Sequence, residues 1–174
     1  KFDFLNPANF SDILKKSKPS LVINAAAYTD VEGAESNENL AYQINSEALK
    51  YISSACEALD STLLHFSTDY VFDGKKNMPY LEEDIPNPIS SYGNSKLLGE
   101  KIISDNMKNY IIFRTSGVIS NNTNNFINKI ILAAETQKEL RIVDDQITSL
   151  NHSDFLAEAI NKILSSIKIE KLNS

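Results

Sequence analysis

The sequence predicts an α/β fold with a doubly wound parallel sheet, and three observations lead to this prediction. Helical and strand-like segments alternate along the 174 residues. The strand-like segments are short, nearly continuous apolar runs, which are typical of parallel strands buried on both faces. A hydrophobic fraction of 42% with 23% charged residues fits one packed, soluble domain. We therefore expect helices on both faces of the sheet.

The first part of the chain predicts two helices and two strands. A helix begins at Asn6-Pro7, because Asn can cap a helix and Pro suits its first position. Residues 21–23 predict a buried strand, and the small residues 24–28 follow it. Apolar side chains recur at helical spacing over residues 39–59, and residues 62–67 predict the second strand.

The alternation continues after a loop. Residues 73–89 contain Gly74 and three prolines without a clean period, and this composition predicts a loop. Helix and strand patterns resume behind it, with a polar turn between them. In order, the predicted elements are a helix over 91–105, a strand over 110–113, a turn over 121–125, a helix over 126–134, a strand over 140–143, a helix over 154–167 and a frayed tail from Lys168.

The charge balance and the cysteine content exclude several classes of protein. The net charge is −6, which argues against a nucleic-acid binder because phosphate contacts need clustered Lys and Arg. No apolar run approaches the roughly 20 residues of a membrane-spanning helix, so no membrane partner is expected. Cys56 is alone and cannot form an internal disulfide or a multi-cysteine metal site. A reduced, cytoplasmic setting is the expectation.

The strongest chemical signal lies where the second strand ends and where the next helix begins. Ligands bind outside the carboxyl ends of parallel strands, and Thr68 stands at such an end. Tyr92 and Lys96 follow on one face of the next predicted helix. An ammonium near a phenol lowers the phenol pKa from about 10, which predicts that Tyr92 is a general acid tuned toward neutral pH. Each segment alone is also compatible with a turn or a solvated helix face.

Together these motifs resemble the extended short-chain dehydrogenase/reductase family and, within it, the dTDP-4-dehydrorhamnose reductases. The resemblance covers nearly the whole chain. It implies a Rossmann-like NAD(P)-binding domain over residues 1–174, with NADPH or NADH as cofactor and a nucleotide sugar as substrate. The matching stretches are residues 22–29, 67–74, 86–88, 92–96, 99–100, 114–116, 125–126 and 143–146.

The resemblance implies a catalytic role for three side chains. Tyr92 would protonate the C4 oxygen of a 4-keto deoxy sugar, and Thr68 would hydrogen-bond the same carbonyl. Lys96 would hydrogen-bond the nicotinamide ribose and keep Tyr92 tuned. Asp69 and Tyr70 would face the sugar. The implied reaction is the NAD(P)H-dependent reduction of the C4 keto group of a nucleotide-linked deoxy sugar for rhamnose and polysaccharide biosynthesis.

The resemblance also implies which residues bind the cofactor. Ala25, Ala26 and Ala27 would let the dinucleotide pass close to the backbone, and Tyr28 would border it. Asp3 resembles the acidic residue at a strand end that meets the adenine in this family. A homodimer and a Mg2+ ion are compatible with the resemblance, although no metal site is predicted. The carboxylates Glu82, Glu83 and Asp84 form the loop cluster that such an ion would use.

The sequence departs from the family pattern in three ways, one of which is that residues 148–151 are Thr-Ser-Leu-Asn where the family usually has Gly-Ser-Pro-Thr. The glycine-rich dinucleotide turn is absent, which predicts that this chain lacks the first strand–helix unit of the fold, together with the C-terminal substrate elements. Gly117 stands where the reductases usually carry a Trp, which removes apolar surface from the expected sugar-nucleotide pocket.

Two alternative functions stay open at this point. One is a sugar-nucleotide epimerase or dehydratase on the same scaffold, although a dehydratase usually carries an acidic residue where Tyr70 stands. The other is a non-catalytic regulatory subunit that kept the fold, as in the regulatory subunit of methionine adenosyltransferase.

Overall fold

The computed structural model describes residues 2–121, 126–137, 139–142, 144 and 146–166. The chain forms two compact units, Lys1–Arg114 and Thr115–Ser174. Helices and parallel strands alternate, which confirms the predicted α/β class. Within the described ranges, no helix is long and apolar enough to cross a bilayer.

The first unit holds five α-helices and three strands in the described part of the chain. Most of them lie within a few residues of their predicted bounds. In chain order they are a 3-10 turn Pro7–Asn9, α1 Phe10–Ser17, β1 Leu21–Asn24, α2 Val31–Ser36, α3 Glu38–Tyr42, a π-helical turn Gln43–Glu47, α4 Ala48–Ala58, β2 Thr62–Thr68, a 3-10 turn Asp69–Val71, α5 Ser91–Asn106 and β3 Tyr110–Thr115.

The three strands form one sheet in the order β1-β2-β3. Strands β1 and β2 run parallel, with Leu21 opposite Thr62 and Asn24 opposite His65. Their carboxyl ends therefore lie at one edge of the sheet. The residues after β1 and those at the end of β2 meet at this edge, as the sequence predicts.

A hydrophobic core joins α1, α4, α5 and β2. Full burial of a Leu, Ile or Phe side chain contributes about 1.5–3 kcal/mol, so this core fixes α5 against the sheet. Its largest buried members are Phe10, Leu14, Leu49, Ile52, Leu63, Ile102, Ile103 and Met107.

The long helix predicted over residues 39–59 contains a π-helical turn at Gln43–Glu47. Asn45 lies within this turn and is 2% exposed. Its Oδ1 accepts from the Tyr28 N–H at 2.8 Å, and its Nδ2 donates to the Tyr28 carbonyl at 3.1 Å and to Ser95 Oγ at 3.0 Å. The amide of Asn45 thus ties the segment after β1 to α5.

Gly99 allows α5 to lie directly against the π-helical turn. A Cβ at this position would collide with the Asn45 carbonyl oxygen and would lie 2.7 Å from Leu49 Cδ1. We expect Gly99→Ala to lower the free energy of unfolding by about 2 kcal/mol, because overpacking against backbone outweighs the gain in helix propensity. Chemical denaturation measures the change. Ser104→Ala on the exposed side of α5 is the control, and equal effects of both changes would contradict the tight contact.

Two elements differ from the sequence prediction in the first unit and at its border. Helix α2 was not predicted, although Asp30 caps it by accepting from the Gly33 N–H at 3.0 Å. Helix α2 is short and carries too few apolar residues to show a helical period. Strand β3 is two residues longer than predicted and ends at Thr115.

The second unit contains β4 Val118–Ile119, α6 Phe126–Thr136, β5 Asn151–His152 and α7 Ser153–Ser166. The predicted strand over 140–143 is wrong for residues 140–142, which belong to no strand; Val143 lies outside the described residues. The parallel pair β4–β5 was not predicted, because two-residue strands have no detectable alternation. Asn125, Asp145 and the tail from Lys168 also lie outside the described residues.

Gly117 lies beside Leu150 in the second unit. A Cβ at Gly117 would lie 3.0 Å from Leu150 Cδ2, so this position has little room for a larger side chain. The Leu150 side chain thus occupies part of the space that the family's Trp side chain would need at position 117.

Candidate active site

Thr68 and Tyr92 meet at the carboxyl end of β2. Thr68 is the last residue of β2, and Tyr92 lies in the first turn of α5. The Thr68 hydroxyl lies close enough to the Tyr92 phenol to affect its pKa. Thr68 is 5% exposed and Tyr92 is 8% exposed, so both hydroxyl groups lie just below the surface. The predicted pair of hydroxyl groups is therefore brought together by the fold.

The start of α5 is held firmly in place. Ser90 caps the helix by accepting from the Gly93 N–H at 3.1 Å. The Glu35 carboxylate accepts from the Ser91 N–H at 2.8 Å and from its hydroxyl at 3.0 Å. A Cβ at Gly93 would collide with the Tyr70 carbonyl oxygen, so glycine lets the helix approach this backbone.

Asp69 and Tyr70 follow Thr68 in a 3-10 turn and border the same place. Thr68 Oγ1 donates to Asp69 Oδ1 and accepts from the Tyr70 N–H, both at 3.2 Å. The Tyr70 ring packs edge-on against Tyr92, with centroids 5.7 Å apart. Tyr70 is 39% exposed, so it reaches solvent where Tyr92 does not.

The pKa of Tyr92 differs from the sequence prediction. Burial raises the pKa of Tyr92, the neighbouring Thr68 hydroxyl lowers it, and the nearby Asp69 and Tyr70 raise it further. The net direction is upward, so the predicted lowering of this pKa is wrong for the structure. Burial is the largest cause, and the Lys96 amine extends to β2, where it donates to the Phe66 carbonyl at 2.6 Å.

Lys96 is buried between α5 and β2, with 2% of its surface exposed. Its Nζ lies 3.3 Å from His65 Nε2. Burial lowers the pKa of Lys96 to about 8, and the Glu100 carboxylate one turn later opposes this shift. Burial and the neighbouring Lys96 lower the pKa of His65 well below 6.5, so the imidazole is neutral near pH 7.

The lowered pKa of Lys96 makes stability depend on pH. Between about pH 8 and about pH 10 the folded state has lost this proton while the unfolded state keeps it, so the free energy of unfolding rises with pH. Across this pH range the free energy of unfolding of the wild type should rise by up to about 3 kcal/mol relative to that of Lys96→Met. Urea denaturation at several pH values measures the difference. Lys101→Met, at an exposed position of α5, should show the same pH dependence of unfolding as the wild type. A difference between wild type and Lys96→Met that does not change with pH would contradict a lowered pKa of Lys96.

A buried ion pair flanks Lys96 on α5. Glu100 is 6% exposed and accepts from Arg114 Nε at 3.0 Å and from Arg114 Nη2 at 2.7 Å. Ser67 Oγ donates to Glu100 Oε1 at 2.5 Å. This group connects the end of β2, α5 and β3, and it explains why a carboxylate is tolerated in the core.

The residues after β1 form an accessible stretch of small side chains. Ala25 and Ala26 are exposed, whereas Ala27 and Tyr28 are half-buried. Asp3 is exposed and opens a turn, in which its Oδ1 accepts from the Leu5 N–H at 3.0 Å. Residues 2–5 belong to no strand, so the strand end expected at Asp3 is not found.

Several residues that shape this site were not singled out as functional from the sequence. Three buried polar residues are Asn24, Asn45 and Glu100. Asn24 directly follows an apolar strand, which is a signal that could have revealed it, whereas the polar surroundings of Asn45 in the sequence give no such signal. His65 is also buried, and its Nδ1 lies 3.0 Å from Asn24 Nδ2.

The loop carboxylates do not form a metal site in the described residues. Asp84 pairs with Lys76 and accepts from the Leu81 N–H at 2.7 Å. Nowhere in the described ranges do three or more His, Cys, Asp or Glu side chains come together to hold a metal ion. The suggestion of Mg2+ at Glu82, Glu83 and Asp84 is therefore not supported.

Helices alternating with parallel strands, and polar side chains at the carboxyl ends of those strands, define a class of protein, the Rossmann-like folds. The family description "RmlD substrate binding domain" matches residues 1–173. The chain belongs to this family. The predicted resemblance is thereby confirmed.

Individual relatives agree with this assignment. A dTDP-4-dehydrorhamnose reductase of Shigella flexneri is 36% identical over 156 residues, which are 90% of this chain and 52% of that protein. The spore coat polysaccharide biosynthesis protein SpsK of Bacillus subtilis is 40% identical over 148 residues, 85% of this chain and 52% of that protein. The chain thus spans about half the length of these curated relatives.

Solved structures show the same fold. The dTDP-4-dehydrorhamnose reductase of Bacillus anthracis in complex with NADP has a TM-score of 0.89 at 33% identity, over 95% of this chain and 59% of that one. A dTDP-4-dehydrorhamnose reductase of Clostridium acetobutylicum has a TM-score of 0.88 at 34% identity, over 94% of this chain and 58% of that one. The predicted Rossmann-like fold is confirmed.

Proposed function

We propose that the protein containing this chain reduces the C4 keto group of a nucleotide-linked 4-keto-6-deoxy sugar with NAD(P)H. The observation that carries the proposal is the proximity of the Thr68 hydroxyl to the Tyr92 phenol at the carboxyl end of β2. Membership of the RmlD family and the names of the reductase relatives support the substrate class.

Each residue of the pair has a task in this reaction. Tyr92 holds a proton on its phenol oxygen, because burial keeps its pKa above the ordinary value. The phenol donates this proton to the carbonyl oxygen as negative charge develops there. Thr68 Oγ1 donates its one proton to Asp69 in the free chain, and this proton would turn to the same carbonyl oxygen when the sugar binds. Two aligned donors stabilise developing charge best in a site shielded from water.

Asp69 and Tyr70 face the sugar in this proposal. Tyr70 is the most exposed side chain beside Tyr92, and Asp69 is half-buried. An aromatic face and a carboxylate are suitable for the apolar and hydroxyl-bearing sides of a deoxy sugar. Their position one and two residues after Thr68 ties substrate binding to the placement of the catalytic hydroxyl.

The segment after β1 and Lys96 fit a nicotinamide cofactor. Ala25 and Ala26 leave their backbone accessible, since larger side chains would cover it. The cofactor would supply the hydride. The residues that would hold it are Ala25, Ala26, Ala27, Tyr28 and Lys96. The NADP complex of the Bacillus anthracis relative supports NADPH, and NADH remains an alternative. Asp3, which is exposed in the turn before α1, would meet the adenine.

A substrate panel tests the proposal. The purified full-length gene product is mixed with NADPH or NADH and dTDP- or UDP-linked 4-keto-6-deoxy sugars, and cofactor oxidation and sugar products are measured. We expect stoichiometric oxidation and a 4-hydroxy sugar. An epimerised sugar without net cofactor oxidation would support an epimerase instead, and absence of any turnover would contradict an enzyme. Light scattering of the same sample tests the predicted homodimer.

A further inference from the structure

A chain of four polar groups runs from the segment after β1 to Lys96. The Ala26 N–H donates to Asn24 Oδ1 at 3.2 Å, and Asn24 Nδ2 lies 3.0 Å from His65 Nδ1. His65 Nε2 lies 3.3 Å from Lys96 Nζ, which also donates to the Phe66 carbonyl. Asn24, His65 and Lys96 are 6%, 1% and 2% exposed, so water cannot easily replace these partners.

The first contact decides where the proton on the imidazole lies. Because Asn24 Oδ1 accepts from Ala26, its Nδ2 faces His65, and an amide nitrogen can only donate. His65 Nδ1 must then be the unprotonated nitrogen. A neutral imidazole has one N–H, which places it on Nε2, toward Lys96.

This proton position determines which form of Lys96 fits. An N–H on His65 Nε2 donates to the lone pair of an uncharged amine, but an ammonium has no lone pair to accept it. A charged Lys96 fits only when the imidazole proton moves to Nδ1. The Asn24 amide must then turn over, and its oxygen leaves the Ala26 N–H.

We propose that Asn24 and His65 are positioning residues that couple the backbone at Ala26 to the amine of Lys96. One state has the Ala26–Asn24 bond and an uncharged Lys96, and the other has a turned Asn24 amide and a charged Lys96. The inference deepens the proposed function, since Ala26 and Lys96 are both proposed to contact the cofactor. A ligand that takes up the Ala26 N–H would favour the charged amine, which is the better donor to a hydroxyl group.

The charged groups near this chain of contacts are few in the described residues. Glu100 on α5 favours a charged Lys96, but it is paired with Arg114 of β3. Tyr92 lies one turn before Lys96, with Asp69 of the 3-10 turn beside it. His65 itself stays neutral over the range in which Lys96 titrates, because its pKa is lowered far below that of the amine.

The test is NMR of the two side chains as the pH is raised from about 6 to about 10, a range that brackets the shifted amine. Imidazole nitrogen shifts report which nitrogen of His65 carries the proton, and the Lys96 Cε shift reports its charge. We expect His65 to change from Nδ1–H to Nε2–H with the same midpoint as Lys96, near pH 8. His65→Gln and Lys96→Arg assign the signals.

Variants separate the coupling from ordinary packing. Lys96→Met should abolish the change at His65 and leave Nε2–H throughout, whereas Lys101→Met on the exposed side of α5 should preserve it. Asn24→Asp should hold the proton on Nδ1 at every pH, because a carboxylate only accepts. Different midpoints for the two side chains, or one tautomer of the wild type at every pH, would overturn the proposal.

The experiment is independent of the proposed reaction. Matching midpoints in a protein without reductase activity would contradict the proposed function and leave the coupling intact. If the enzyme is active but the tautomer of His65 does not change with pH, the coupling to Lys96 is rejected and the proposed function stands. If the enzyme is active, the pH profile of kcat should have a limb near pH 8. His65→Gln should shift this limb by about one pH unit, because a Gln amide can turn its oxygen toward the Lys96 ammonium.

Discussion

Tyr92→Phe is expected to lower kcat about 100- to 10,000-fold, the range typical of losing a general acid. The change removes one oxygen and keeps the ring, which packs edge-on against Tyr70 and contacts the cluster around Ala34 and Ala41. KM for the sugar should change little, because the phenol acts on the developing oxyanion rather than on the bound ketone. Steady-state kinetics of the full-length gene product measure both constants.

The control for this change is Tyr110→Phe. Tyr110 is 38% exposed at the start of β3, the end of the strand opposite to the site. Its loss should leave kcat within about twofold, as for most surface changes. Normal turnover by Tyr92→Phe would show that this phenol is not the acid and would remove the central assignment. Thr68→Val offers a second test, because it deletes the hydroxyl that lies beside the Tyr92 phenol.

Glu100→Ala is expected to lower the free energy of unfolding by about 3–5 kcal/mol, which is the usual cost of breaking a buried ion pair from one side. The change leaves Arg114 without its carboxylate and Ser67 without the acceptor of its 2.5 Å hydrogen bond. It should also lower the pKa of Lys96 further, since Glu100 opposes the effect of burial. Urea denaturation of the purified protein measures the loss.

The matched control is Glu47→Ala. Glu47 pairs with Lys50 one turn away at 2.7 Å, but both side chains are about half exposed. Exposed pairs contribute roughly 0–1 kcal/mol, so this change should have little effect. Similar losses for both variants would mean that the Glu100 pair contributes no more than a surface ion pair. Glu100→Gln should fall between wild type and Glu100→Ala, because it keeps a hydrogen-bond acceptor without the charge.

The order of the elements could be predicted because each long element carries its own pattern. Apolar runs located β1 and β2 within one residue, and helical spacing located α5 and the continuous helical run from α3 to α4 within one or two residues. The same approach failed for β4 and β5, whose pairing depends on contacts between residues far apart in the sequence. It also missed the π-helical turn, which depends on Asn45 finding partners on Tyr28 and Ser95.

The candidate site shows a similar division. The residue types at 68, 92 and 96 and their places after a strand and on a helix face were visible in the sequence. The meeting of Thr68 with Tyr92 depends on packing between β2 and α5, and Gly93 permits it by letting α5 approach the Tyr70 backbone. No local sequence pattern shows that these two side chains lie close together.

The pKa values mark where local reasoning fails. Spacing alone indicates that Lys96 would lower the pKa of Tyr92, because both lie on one face of α5. In the folded chain Lys96 crosses to the Phe66 carbonyl and His65, and burial raises the pKa of Tyr92. The order of residues thus determines the class of fold and the chemical groups available. Only packing in three dimensions sets their burial and their partners, because desolvation and hydrogen bonding depend on neighbours that are remote along the chain.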